Sequence, residues 1–291
     1  MPTPAPAPSR HACLPFICSR LLCAAFGAAA AGAWAQASAP AAGAAPAALS
    51  VHAAGSLRAA LTDAAQAFER QSGTKVALTF GASGLLKDRL VAGEHADVFA
   101  SANLEHPQAL VAAGKAGSVA AFARNALCLL GGPGFALQGQ DVAQRLLDPA
   151  LRIGVPTPGA DPAGDYAVRF FDRIESSGAA GPGSAAQLKA RALQLAGGPD
   201  SPEAPPGRSP YAMLLAEGRA DVFITYCSNA TLAVRENPAL QTYPLPQRLE
   251  VSAVYGLVLL QPTTPAAERF AAFLRGPEGQ AVLRGHGFRA P

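Results

Sequence analysis

SVHAAGSLRAALTDAAQAFERQSGTKVALTFGASGLLKDRL, residues 50–90, decides the fold. It reads twice as strand, turn, helix: β-like runs at 49–53 and 75–80 each lead through a Gly/Ser turn into helix-like runs at 57–71 and 85–92. In the first helix Leu57, Leu61, Ala64, Ala65 and Phe68 recur at three- and four-residue steps, an apolar stripe suited to lie on a sheet, and Gly73 stops it. The turns Ala53-Ala54-Gly55-Ser56-Leu57 and Phe80-Gly81-Ala82-Ser83-Gly84-Leu85 put Ser56 and Ser83 at helix starts 27 residues apart. The first N–H groups of a helix have no intrahelical partner, and the aligned peptide dipoles make that end partly positive. Such a turn can hold a small oxyanion without a cation. A serine there ordinarily accepts from its own backbone; beside an anion its hydroxyl can donate outward.

Outward from this stretch the alternation continues. Strands are expected at 96–101, 126–130, 152–156, 220–226, 241–245 and 254–260, and helices at 107–113, 140–148, 164–175, 186–195, 211–217, 265–274 and 277–284. That pattern marks an α/β fold with a largely parallel sheet. Segments 178–183 and 197–207 are rich in Gly, Pro and Ser and read as exposed loops. One echo stands out: residues 92–99 and 216–223 share a helix end, a glycine stop and then Ala-Asp-Val-Phe entering a strand. Two similar α/β lobes would produce it, as would the commonness of that connection.

Residues 1–35 have the form of an export signal: Arg10 and Arg20, an apolar run from Leu21 to Ala33, and the small-x-small site Ala33-Trp34-Ala35, with cutting expected before Gln36. The location implied is periplasmic. Residues 36–48, almost all Ala, Pro, Gly and Ser, read as a flexible leader, so about 240 residues remain to bury a core. Loss of Arg10 and Arg20 takes the formal charge from +3 to about +1, and no Lys/Arg cluster with interleaved aromatics supports nucleic-acid binding. Of five cysteines only Cys128 and Cys227 remain after the signal. In an oxidising compartment they can pair, or they can be two separate buried thiols. No histidine spacing completes a zinc site with them.

With these residues in view, the chain resembles the periplasmic molybdate-binding proteins that feed ABC transporters. The resemblance runs over most of residues 49–288. It is firmest from Val51 to Asn103 and continues in Asp161-Pro162-Ala163-Gly164-Asp165-Tyr166-Ala167, residues 220–229, residues 276–283 and Gly287-Phe288. It implies a two-lobed type II periplasmic binding fold with ligand in the cleft: lobe 1 from residues 49–128 and the return segment 243–291, lobe 2 from 129–242. The family's oxyanion contacts map onto Ser56 and Ser83, the backbone at Ala163 and the hydroxyl of Tyr226, all touching molybdate oxygens and none ligating the metal directly. A further backbone donor maps onto Arg208, where the family has a small apolar residue; its side chain either enters the cleft or faces water, and Pro205, Pro206 and Pro210 surround it. Asp165 is expected in the first helical turn, facing solvent and complementing the dipole. The resemblance thus implies capture of molybdate, and of tungstate, by a monomer without a cofactor, for delivery to a membrane ABC permease.

Two rivals remain. A binding protein of the same fold for another oxyanion or a small organic anion keeps every structural step. A serine hydrolase using Ser83 needs Gly-x-Ser-x-Gly, whereas here the second glycine comes one residue early, and His52, His95, His106 and His286 carry no triad motif. The expectation is therefore a receptor and not an enzyme.

Overall fold

A computed structural model describes residues 48–137, 139–205 and 207–291. The expected signal, nearly all of the leader, and Pro206 lie outside the described residues.

Three parallel strands form the first unit of the sheet: β1 (Leu49–Ala54) lies between β2 (Val76–Gly81) and β3 (Val98–Ser101). α1 (Arg58–Ser72), α2 (Ser83–Val91) and α3 (Glu105–Ala112) follow those strands in turn. α1 buries Ala60, Leu61, Ala64, Ala65 and Phe68, the stripe its spacing called for, and Leu57 is buried just before it. Burying each Leu or Phe contributes about 1.5–3 kcal/mol relative to exposure. Gly73 ends the helix at φ 71°, a left-handed conformation that glycine adopts without steric cost.

β4 (Ala120–Gly131) then leaves this unit. A second parallel triplet follows, with β5 (Ile153–Pro156) between β6 (Leu193–Ala196) and β7 (Val222–Tyr226). Its helices are α4 (Val142–Leu146), α5 (Pro162–Ser176), α6 (Ser184–Arg191), α7 (Pro210–Ala216) and α8 (Cys227–Glu236). β8 (Gln241–Pro244) and β9 (Ser252–Leu259) lead back, and α9 (Pro265–Arg275) and α10 (Pro277–Gly285) finish the chain. The hydrogen-bonded order is β2-β1-β3-β9-β4-β7-β5-β6, with β8 also on β4. β4 is antiparallel to β9 over Ala120–Ala126 and to β7 from Leu127 onward, so one strand serves both halves. Positions 128 and 242, expected as lobe limits, fall inside β4 and β8. α9 packs on the first half, where Phe270 meets Phe68 edge-on at 5.2 Å.

The echo in the sequence is a repeated device. Asp97 Oδ2 accepts from Ser50 N–H at 2.8 Å, and Asp97 N–H donates to Ser50 C=O at 2.8 Å. Asp221 does the same with Arg152, at 2.8 and 2.9 Å. In each triplet an aspartate ahead of the third strand thus fixes the start of the central one.

Three elements depart from the sequence reading. A helix expected over 186–195 stops at Arg191, because Ala192 is extended and the Arg191 guanidinium donates to the carbonyls of Leu147 and Leu151; Leu193–Ala196 then pairs with β5. α8 follows β7 without a Gly or Pro boundary and buries Ala230 and Ala233. β4 is longer than expected because β9 pairs with its first half. Cys128 and Cys227 form a disulfide: β4 sets Cys128 opposite Thr225, and the turn into α8 brings the Cα atoms to 4.9 Å, within the usual range. No described helix is long and apolar enough to cross a membrane.

Candidate functional site

Four helices begin beyond the carboxyl ends of parallel strands: α1 after β1, α2 after β2, α5 after β5 and α7 after β6. That crevice is where open α/β sheets bind ligands. Residues at all four starts line one cavity of about 440 Å3, among them Ser56, Ser83, Asp161 and Ser209, with Tyr226 at the end of β7.

In the first half neither serine caps its own helix. Ser83, the first residue of α2, is buried, and its Oγ accepts from Ala102 N–H at 3.1 Å. Ser56 lies in the 3-10 turn Gly55–Leu57, and its Oγ shares a 2.8 Å hydrogen bond with Tyr255 OH. Asn125 Nδ2 donates to Tyr255 OH at 3.3 Å and to Ser228 Oγ at 2.8 Å, joining Ser56 to β4 and α8. No side chain closes the start of α1 or α2. The halves touch where Gly84 N–H donates to Ala160 C=O at 2.8 Å. A Cβ on Gly84 would stand 2.5 Å from Gly159 C=O, so only glycine permits this approach.

The second half is finished differently. Asp161 caps α5, its Oδ1 accepting from Ala163 N–H at 2.9 Å, with Pro162 as the first helical residue. The Ala163 amide, expected to face the ligand, is therefore taken by the protein, and Ala163 is fully buried. Burial pushes the Asp161 carboxyl up to about 6; the Ala163 N–H opposes this and the charge of Asp165 adds to it. Gly197, at φ 70°, lies against the same carboxylate: a Cβ there would stand 2.5 Å from Oδ2. Asp165 turns its Oδ1 to the Gly159 N–H at 2.9 Å, steadying the loop before α5. Ser209 caps α7 through Ala212 N–H at 3.3 Å.

Arg208 reaches the rim with both of its candidate donors committed. Its N–H donates to Pro205 C=O at 2.9 Å, and its exposed guanidinium pairs with Glu236 at 2.7 Å, a carboxylate that also accepts from Ser209 N–H. Tyr226 is buried, packs edge-on to Tyr166 at 6.2 Å, and donates from its hydroxyl to Ala102 C=O at 3.3 Å. Burial and neighbouring negative charge hold that phenol well above its ordinary pKa. Ser83 and Tyr226 thus meet through one residue, Ala102, which offers its N–H to one and its C=O to the other.

Ser56, Ser83, Arg208 and Tyr226 all come to the cavity; Ala163 stands behind it. Sequence reasoning missed Asp161 and Ser209. Their signal was present: each precedes a proline at a helix start, and laying the second triplet over the first sets Asp161 at the turn that holds Ser56. For the hydrolase alternative, His52 and His286 are committed to Glu94 at 2.9 Å and Asp63 at 2.8 Å, while Ser83 Oγ is engaged by a backbone amide. Among the described residues no group of three His, Cys, Asp or Glu side chains could hold a metal ion.

Comparison with known proteins agrees with this architecture. The periplasmic molybdate-binding protein of Azotobacter vinelandii superposes with a TM-score of 0.65 at 24% identity, covering 84% of this chain and 99% of that one. The sulfate-binding protein SubI of Mycobacterium tuberculosis H37Rv gives 0.67 at 18% identity, covering 84% and 86%. Both likenesses show the type II periplasmic binding fold. In sequence, an uncharacterised protein of Pasteurella multocida (strain Pm70), PM1146, is 36% identical over 224 residues, 77% of this chain and 90% of that protein. Residues 49–289 match a family described as bacterial extracellular solute-binding proteins, and the chain belongs to that family.

Proposed function

We propose that the protein captures a tetrahedral oxyanion, molybdate or tungstate in the first instance, in the cavity between its two halves and delivers it to a membrane ABC permease. One observation carries this reading: the Gly55–Leu57 turn that leads into α1 and the start of α2 lie on a shared cavity with no side chain capping them, beside the hydroxyls of Ser56, Ser83 and Tyr226. Charge-assisted hydrogen bonds from amides and hydroxyls contribute about 1.5–3 kcal/mol each, so a few of them offset dehydration of a dianion. Specificity follows from size: sulfate is smaller than molybdate, and donors set for the larger ion stand out of its reach. Ligand contact with both halves favours the form in which Gly84 and Ala160 meet, which a permease can recognise. Family membership and the molybdate- and sulfate-binding neighbours support the class of ligand.

A second reading is favoured by the cavity itself. Its volume, about 440 Å3, lies in the range of small organic ligands, and Arg58, Arg89 and Arg208 are among its lining residues. A small organic anion with an oxyanionic head would use the same serines. Titration calorimetry with molybdate, tungstate, sulfate, phosphate and a sugar phosphate separates the two. Tight binding of the first two alone supports the metal oxyanion. Tight binding of the sugar phosphate alone supports the organic anion, and no binding to any of them rejects both.

A further inference from the structure

We propose that Asp161 imposes a proton rule on the cleft: one proton must lie between its carboxyl group and the bound anion, carried in by the ligand or taken up from water by Asp161. This rests on the oxyanion reading above and specifies which ligands satisfy it.

Asp161 lines the cavity shared by Ser56, Ser83 and Tyr226, with Oδ1 tied to the start of α5 and Oδ2 against the Gly197 backbone. The carboxyl is thus held in place and cannot swing away from a guest without uncapping its helix. From its own helix the charge of Asp165 acts on it, and from α7, β7 and β9 the phenols of Tyr211, Tyr226 and Tyr255 lie within reach of its charge. Burial raises the pKa of all three phenols, so they stay neutral and can only donate or accept hydrogen bonds. Arg58, Arg89, Arg208 and Glu203 also line the cavity. Arg89 is paired with Glu94, Arg208 with Glu236, and Arg58 lies over the Phe80 ring at 4.7 Å. Among the described residues no cation pairs with Asp161.

An ionised Asp161, which has no paired cation among the described residues, and a proton-free dianion would therefore be two negative groups in one cleft. Like charges so placed do not both remain ionised; one takes a proton. The carboxyl is already displaced toward the neutral form without a ligand, up to about 6. With molybdate, tungstate or sulfate, Asp161 takes up the proton and donates a hydrogen bond to an anion oxygen. With hydrogen phosphate, or an organic anion bearing its own acidic or alcoholic OH, Asp161 remains a carboxylate and accepts. The Gly55–Leu57 turn and the start of α2, which no side chain caps, serve both kinds of ligand; Asp161 distinguishes them by pH.

The test is calorimetric titration of the purified protein and its Asp161→Asn variant with molybdate, sulfate and phosphate. It is run from about pH 7 to pH 9 in buffers of different ionisation enthalpy, which reports protons taken up on binding. Asn caps a helix as well as Asp does, and its amide N–H donates without uptake of a proton. For the wild type, molybdate or sulfate binding is expected to take up one proton and to weaken about tenfold per pH unit, while phosphate affinity stays level. In Asp161→Asn, molybdate and sulfate bind without proton uptake or pH dependence, and phosphate weakens. Binding of phosphate alone by the wild type, with molybdate or sulfate gained in Asp161→Asn, supports the same rule. Wild-type binding of molybdate or sulfate at equal affinity across the pH range, without proton uptake, overturns the rule and leaves the oxyanion reading standing. Absence of binding by any of the three to either protein overturns both. The wild-type measurement decides by itself if the variant does not fold.

Discussion

The two strand triplets are alike in topology and opposite in how their helices begin. Both set a central strand between two parallel neighbours, and both anchor it with an aspartate, Asp97 in one and Asp221 in the other. In the first half α1 and α2 start without a side-chain cap, and the nearby serines hydrogen-bond elsewhere, Ser56 to Tyr255 and Ser83 to Ala102. In the second half Asp161 and Ser209 fold back onto the amides of Ala163 and Ala212. An amide closed by its own side chain stabilises the helix and is lost to a guest; an open one does the reverse. The difference assigns the halves separate tasks: one offers donors, the other supplies a fixed wall with a carboxyl in it.

The largest expected effect tests how firmly that wall is held. The described disulfide, Cys128–Cys227, staples only the second half and closes a loop of 99 residues. Replacing both cysteines by Ser is expected to lower the unfolding free energy by about 2–5 kcal/mol, read by denaturant titration. Protection lost first from β7 and α8 in hydrogen exchange would sharpen the contrast, and uniform loss would erase it.

Next come the serines themselves. Ser83→Ala and Ser56→Ala each are expected to weaken anion binding by about 1–3 kcal/mol, measured by calorimetry. Ser209→Ala, which removes a cap, costs about 1 kcal/mol of stability with affinity unchanged. If Ser209→Ala weakened binding as much as Ser83→Ala, the division of labour would fail.

Asp161 predicts a pH signature in stability. Its folded carboxyl, up to about 6, lies above the unfolded value near 3.9. Between those values the native state binds more protons than the unfolded one, so the contribution of this group falls as pH rises through the window. Asp161→Asn is therefore expected to gain nothing in Tm near pH 4 and to exceed the wild type by a constant margin above about pH 7. Equal Tm differences at both ends would remove Asp161 from its enclosed position.

The smallest effect is expected at Arg208. Its guanidinium is 62% exposed and Glu236 keeps the Ser209 N–H as a partner, so Arg208→Ala costs at most about 1 kcal/mol of stability. Molybdate affinity is expected to stay the same, and a loss of affinity above tenfold would return that side chain to the pocket.

Much of this was legible in the chain. The 3.6-residue stripe of α1, the Gly73 stop and the two Gly/Ser turns are local facts, each set by spacing and backbone freedom within a few residues, and the structure keeps them. The Ala-Asp-Val-Phe echo proved to be a shared hydrogen-bonding device because an aspartate ahead of a strand meets the same neighbour in both triplets. β6 and α8 were not legible: Leu193–Ala196 becomes a strand only because β5 is there to pair with it, and α8 is buried by contacts that no local signal announces.

Sequence by itself determined the alternation of strands and helices, the placing of Ser56, Ser83 and Tyr226 at element ends, and the supply of two cysteines to one chain. Tertiary structure alone decided that the cysteines pair, that the Ala163 and Arg208 amides are used internally, and that Asp161 stands in the cavity. The reason is range: helix stripes and turns depend on neighbours a few residues away. The partner of an amide or a carboxyl depends on which distant segment the sheet order brings beside it.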